Sequence, residues 1–126
     1  MKVARLDHLV LTVKDIEVTS RFYSNVLGMD MTTFGEGRVA LTFGEQKINL
    51  HQLGNEFEPK AEQVQSGSAD LCFITHMSIC EVQSHIASQG VTIIDGPIQR
   101  TGAIGKIISV YLRDPDGNLI ELSNYL

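Results

Sequence analysis

Five side chains of metal-binding type, His8, Asn49, His51, Asp70 and Glu121, interrupt short runs of strand-forming apolar residues. A charged or strongly polar side chain in such a setting needs a partner, because burying it alone is expensive. One divalent cation would satisfy several of them together. Histidine with carboxylates and open coordination positions suits Fe2+, Mn2+, Ni2+ or Zn2+. Such an ion polarises substrate oxygens and stabilises an anion that develops on them. Taken singly, a polar strand residue is more often solvated or hydrogen-bonded than a ligand. Convergence is what would make these five a set.

Convergence is expected from an internal repeat. His8-Leu9-Val10-Leu11-Thr12 and Asp70-Leu71-Cys72-Phe73-Ile74-Thr75 are both short, apolar and rich in strand formers. A helical pattern follows each. Asp15 is placed to cap a helix with Ile16, Thr19, Phe22, Tyr23, Val26 and Leu27 on one face. Ser78 with Glu81 is a capping-box pattern, and Val82, Ile86 and Ala87 continue the second helix. Gly28 and Gly90 end the two helices, each 20 residues after His8 or Asp70. Second strands are expected at Met29–Met31 and Val91–Ile94, third strands at Arg38–Phe43 and Ile107–Leu112. Turns at Gly44-Glu45-Gln46 and Asp114-Pro115-Asp116-Gly117 lead to fourth strands at Ile48–His51 and Ile120–Ser123.

The chain therefore reads β-α-β-β-β twice, an α+β protein. Its two tandem βαβββ modules would form an open, cup-shaped eight-stranded sheet. Module one spans about 4–53, a polar linker about 54–67, and module two about 68–126, within a single domain over 1–126. One helix covers only one face of a four-stranded sheet, so the other face must meet something else. Superposing the copies sets His8 opposite Asp70 and Asn49 opposite Glu121. His51 lies two residues beyond Asn49, on the same strand face. His8 and Glu121 are the leading ligands. His51 is a better donor than Asn49 but stands one step off the repeat, and Asp70 is the fourth candidate. His76, at a strand end, and His85, on a helix, read as structural or solvated.

Composition narrows the function classes. The 126 residues are 43% apolar and 20% charged, so extended disorder is not expected. The net charge of −5 argues against a nucleic-acid or anionic-membrane partner, which would want a basic face. No apolar run reaches the ~18 residues of a membrane span. The N-terminus meets charges too early for a secretory signal. Cys72 and Cys80 are the only cysteines, which suits a reduced, cytoplasmic protein.

The stretches LDHLVLTVKDIEVTSRFYSNVLGM (6–29) and YLRDPDGNLIEL (111–122) resemble the vicinal oxygen chelate superfamily. That superfamily includes glyoxalase I, fosfomycin-resistance proteins, methylmalonyl-CoA epimerase and extradiol ring-cleaving dioxygenases. Residues 47–61, 66–75 and 96–107 look most like its glyoxalase-domain-containing-protein-5 group, which includes bacterial proteins labelled as virulence factors. The resemblance implies that His8 and Glu121 bind a divalent metal and that the third ligand falls at Asp70, or at Asn49 beside His51. It also implies an active-site role for Tyr111, ten residues before Glu121, and a homodimer acting on a small-molecule substrate.

Departures sharpen the expectation. Thr12, Asn49 and Leu53 stand where bacterial glyoxalase I carries Arg, Glu and Asn, so a true glyoxalase I is disfavoured. Asp70 stands where fosfomycin-resistance enzymes carry His. The expected activity is metal-dependent lyase, isomerase or epimerase chemistry on a substrate that chelates through two adjacent oxygens. A His8, His51 and Glu121 set with Fe2+ would instead allow ring-cleaving dioxygenase chemistry. Arg100 and Lys106 flank a Gly-rich stretch that could clamp an anionic substrate. The rival is a non-catalytic drug-binding protein of the bleomycin-resistance type, which would want a large aromatic cavity and no convergent ligands.

Overall fold

The computed structural model describes residues 1–126 and divides into two units, Met1–Ser66 and Gly67–Leu126. In the first, strand β1 (His8–Val13) leads to helix α1 (Ile16–Leu27) and then to β2 (Asp30–Phe34), β3 (Arg38–Phe43) and β4 (Gln46–Gln52). Asp15 begins α1 from an extended backbone by accepting hydrogen bonds from the amides of Glu17 and Val18 at 2.9 and 3.1 Å. Gly28 ends it in the left-handed conformation at φ 68°, and its amide reaches the Ser24 carbonyl at 3.1 Å. The sheet order is β1-β4-β3-β2, with β1 parallel to β4 and the other pairs antiparallel. Thr19, Tyr23 and Val26 turn one stripe of α1 inward. Leu11, Val13, Leu41, Ile48 and Leu50 are buried on the strands and complete the core.

The second unit repeats this order with β5 (Asp70–Ile74), α2 (Ile79–Ser88), β6 (Asp95–Thr101), β7 (Lys106–Arg113) and β8 (Leu119–Tyr125). Ser78 and Glu81 form the capping box that opens α2. The sheet order is β5-β8-β7-β6, again with the first pair parallel. Val82 and Ile86 of α2 join Val110, Leu112, Ile120 and Leu122 in the core. Asp114 organises the turn into β8 by accepting from the amides of Asp116 and Asn118, both at 2.9 Å, and from the Asn118 side chain at 2.7 Å. The molecule is thus α+β, built of two βαβββ modules whose four-stranded sheets are open rather than closed into barrels.

One strand lies later than the apolar pattern suggests. Val91–Ile94 is not a strand; β6 begins at Asp95. Residues after α2 are taken up by its C-terminal turn, where the Val91 amide bonds back to the Ile86 carbonyl at 3.2 Å. β6 is mostly exposed and carries a bulge between Asp95 and Ile98, so it lacks the apolar signature of a buried strand. Arg100 consequently sits on a strand, and only Gly102–Gly105 forms the turn, closed by a 2.7 Å backbone bond.

Residues 53–69 hold no helix or strand. In the first unit they are nonetheless tied down. The Glu56 carboxylate accepts from the Gly54 amide and from Lys60 Nζ, the latter at 3.2 Å. No helix is long and apolar enough to cross a membrane.

Candidate functional site

Strand alternation sorts each sheet into a helix-covered face and an open face. In the first unit the rungs His8–Lys47, Val10–Asn49 and Thr12–His51 all lie on the open face, opposite the core residues Leu11, Val13, Ile48 and Leu50. In the second unit the equivalent rungs are Asp70–Leu119 and Cys72–Glu121. Asn49 is flanked by Val10 and Ala40, and Glu121 by Cys72 and Tyr111. The register therefore repeats between the units, and His8, Asp70, Asn49 and Glu121 occupy matching places.

His8 is exposed and its Nδ1 lies 2.8 Å from Asp7 Oδ2. A carboxylate only accepts, so Nδ1 carries the proton and the lone pair of the neutral ring sits on Nε2. The same contact is the main reason the Asp7 carboxyl is held below its ordinary value. Asp7 was not among the expected site residues, although a carboxylate directly before His8 is visible in the sequence.

Asn49 and His51 are 5% and 3% exposed, and Asn49 Oδ1 and His51 Nε2 are buried without a hydrogen-bond partner. Phe57, from the expected linker, meets His51 edge to face at 5.6 Å between centroids. It also takes the Arg38 guanidinium over its own ring at 4.8 Å. Burial, and then the Arg38 charge, push the His51 imidazole down. A lone aromatic in a polar segment was the only sequence signal for Phe57. His51 stands four residues along β4 from the rung of His8, about 13 Å of extended chain. The sheet thus separates the two histidines.

In the second unit Glu121 Oε1 is buried and unpartnered. Asp70, Arg100, Tyr111, Arg113 and Glu121 line one cleft of about 390 Å3. Arg100 Nε donates to the Tyr111 hydroxyl at 3.0 Å. Burial raises the Tyr111 phenol, the Arg100 bond opposes that rise, and the neighbouring Glu121 carboxylate adds to it. Cys72 Sγ lies 3.4 Å from Ser123 Oγ, which is 2.7 Å from Ser109 Oγ. Burial is also the main reason the Cys72 thiol is pushed up.

No group of three or more His, Cys, Asp or Glu side chains in the structure is gathered so as to hold a metal ion. The donor chemistry still fits a divalent cation. His8 presents an imidazole nitrogen with its second nitrogen tied to a carboxylate, the usual support of a metal-bound histidine. Glu121 presents a buried carboxylate oxygen that no protein group satisfies.

Comparison with known proteins places the chain among similar ones. The virulence protein STM3117 of Salmonella typhimurium is 59% identical over all of this chain and 88% of its own length. Its crystal structure superposes with a TM-score of 0.99, covering all of both chains. An integron cassette protein from the mobile metagenome of V. cholerae is 63% identical over all of this chain and 98% of its own, with a TM-score of 0.98. The glyoxalase domain-containing protein RDO1 of Mycosarcoma maydis is 56% identical over 99% of this chain and 70% of its own length. A family model matches residues 5–122, and the chain belongs to the Glyoxalase/Bleomycin resistance protein/Dioxygenase superfamily.

Proposed function

We propose that the protein is a metal-dependent enzyme acting on a small substrate with two adjacent oxygens, and that His8, Asp70 and Glu121 hold the ion. The carrying observation is the buried Glu121 oxygen with no protein partner, on a strand face lined by Asp70 and Tyr111. His51, set apart from His8 along the sheet, is left out of the proposed ligand set.

A divalent cation supplies Lewis acidity toward the substrate's oxygens when bound. The chain's own groups do the rest. Asp7 fixes the His8 ring so that Nε2 is the available donor. Tyr111 accepts from Arg100 and sits beside the Glu121 carboxylate, and with Glu121 engaged by the ion its O–H donates to a substrate oxygen on which negative charge develops. A carboxylate in the cleft, Asp70 or Glu121, moves the proton. One histidine with two carboxylates favours proton-transfer chemistry, as in a lyase or isomerase. Dioxygenase chemistry draws instead on two histidines and one carboxylate.

Metal analysis after loading with Fe2+, Mn2+, Ni2+ or Zn2+ tests the reading. One ion per site is expected, lost in His8→Ala and Glu121→Ala while both variants stay folded. Failure to take up any of the four ions overturns it and leaves a non-catalytic small-molecule binder.

A further inference from the structure

The cleft in the second unit holds arginines that stand near acids, Arg100 near Asp95 and Glu121, without closing an ion pair on them. Arg100 and Arg113 line it together with Asp70, Asp95 and Glu121, yet neither arginine forms an ion pair with any acid. Arg113 is turned to the backbone, with Nη1 donating to the Gly117 carbonyl at 3.3 Å. Arg100 is held differently. Its Nε is engaged by the Tyr111 hydroxyl at 3.0 Å, and its guanidinium carbon stands 5.6 Å from the centre of the Tyr111 ring. One of its five donors is thereby used, and the Nη1/Nη2 pair remains. That pair is a planar fork of the spacing a carboxylate accepts with both oxygens.

Charge points the same way. The cleft's three acids outnumber its two arginines by one. The proposed divalent ion reverses this to one positive charge in excess, and this step rests on the metal reading above. A cleft with one surplus positive charge favours a monoanion.

We propose that Arg100, oriented by Tyr111, anchors a carboxylate group of the substrate, so that the enzyme acts on a small carboxylate rather than on a neutral carbonyl compound. Tyr111 then has two tasks on two sides. It fixes the guanidinium through its oxygen lone pair, and its proton faces the reacting oxygens. A lysine at position 100 would keep the charge and lose the fork, so it restores binding only in part.

Calorimetric titration of the metal-loaded protein with pyruvate, methyl pyruvate and methylphosphonate tests this, after metal content has been measured for each variant. Pyruvate is expected to bind about tenfold or more tightly than its neutral ester and more tightly than methylphosphonate. Arg100→Gln is expected to abolish that preference while keeping its metal, and Arg100→Lys to recover part of it. Equal binding of pyruvate and its ester, or an undiminished preference in Arg100→Gln, overturns the assignment while the metal reading stands. A preference for methylphosphonate overturns the carboxylate in favour of a tetrahedral anion. Absence of metal uptake overturns both.

Discussion

His8 Nδ1 lies 2.8 Å from Asp7 Oδ2, so the residue before the proposed metal donor is also the group that orients its ring. Asp7→Asn keeps the shape and removes the charge. It is expected to weaken metal affinity about 10- to 100-fold without unfolding the chain. Competition with a chromophoric chelator measures this, and unchanged affinity would show that Asp7 does not support the ligand.

Ser109 and Ser123 bond to each other at 2.7 Å, and neither has any exposed surface. Ser123→Ala strands the Ser109 hydroxyl and removes the partner of Cys72 Sγ. The expected loss is about 1–3 kcal/mol in urea unfolding. The Ser109→Ala, Ser123→Ala double variant should cost less than the two single losses added together, because no hydroxyl of the pair is then left alone.

Gly96 has φ 92°, and a Cβ there would press on the Ser109 backbone carbonyl. Gly96→Ala must both adopt a left-handed backbone and displace β7. A loss of more than about 1 kcal/mol in urea unfolding is expected, larger than at Gly117, where φ is also positive but nothing stands near the added Cβ.

The Glu56 carboxyl is held below its ordinary value of 4.5, first by its bond to Lys60 and also by the Gly54 amide. Its folded value is below its unfolded one, so its contribution is complete above 4.5 and is lost as pH falls through the folded value. Hydrogen exchange at the Gly54 amide, corrected for intrinsic rate, should speed up on acidification over that window. In Glu56→Gln it should be fast throughout and insensitive to pH there.

The repeat was legible because it rests on local physics. Asp15, Gly28 and the Ser78–Glu81 pair announce helix ends by capping chemistry, and period-2 apolar runs announce β3, β4, β7 and β8. The repeat also set His8 opposite Asp70 and Asn49 opposite Glu121, because matching strand positions share a face, whereas Tyr111 entered only through the family resemblance. β6 escaped because an exposed, bulged edge strand carries no alternation to read. Pairing decided what spacing alone left open. The parallel register of β1 on β4 sets His51 four residues from the rung of His8, although both are histidines in strands of one module. Likewise, only the fold brings Phe57 onto His51 and Arg100 onto Tyr111, since contacts between residues distant in sequence depend on sheet register and not on local preference.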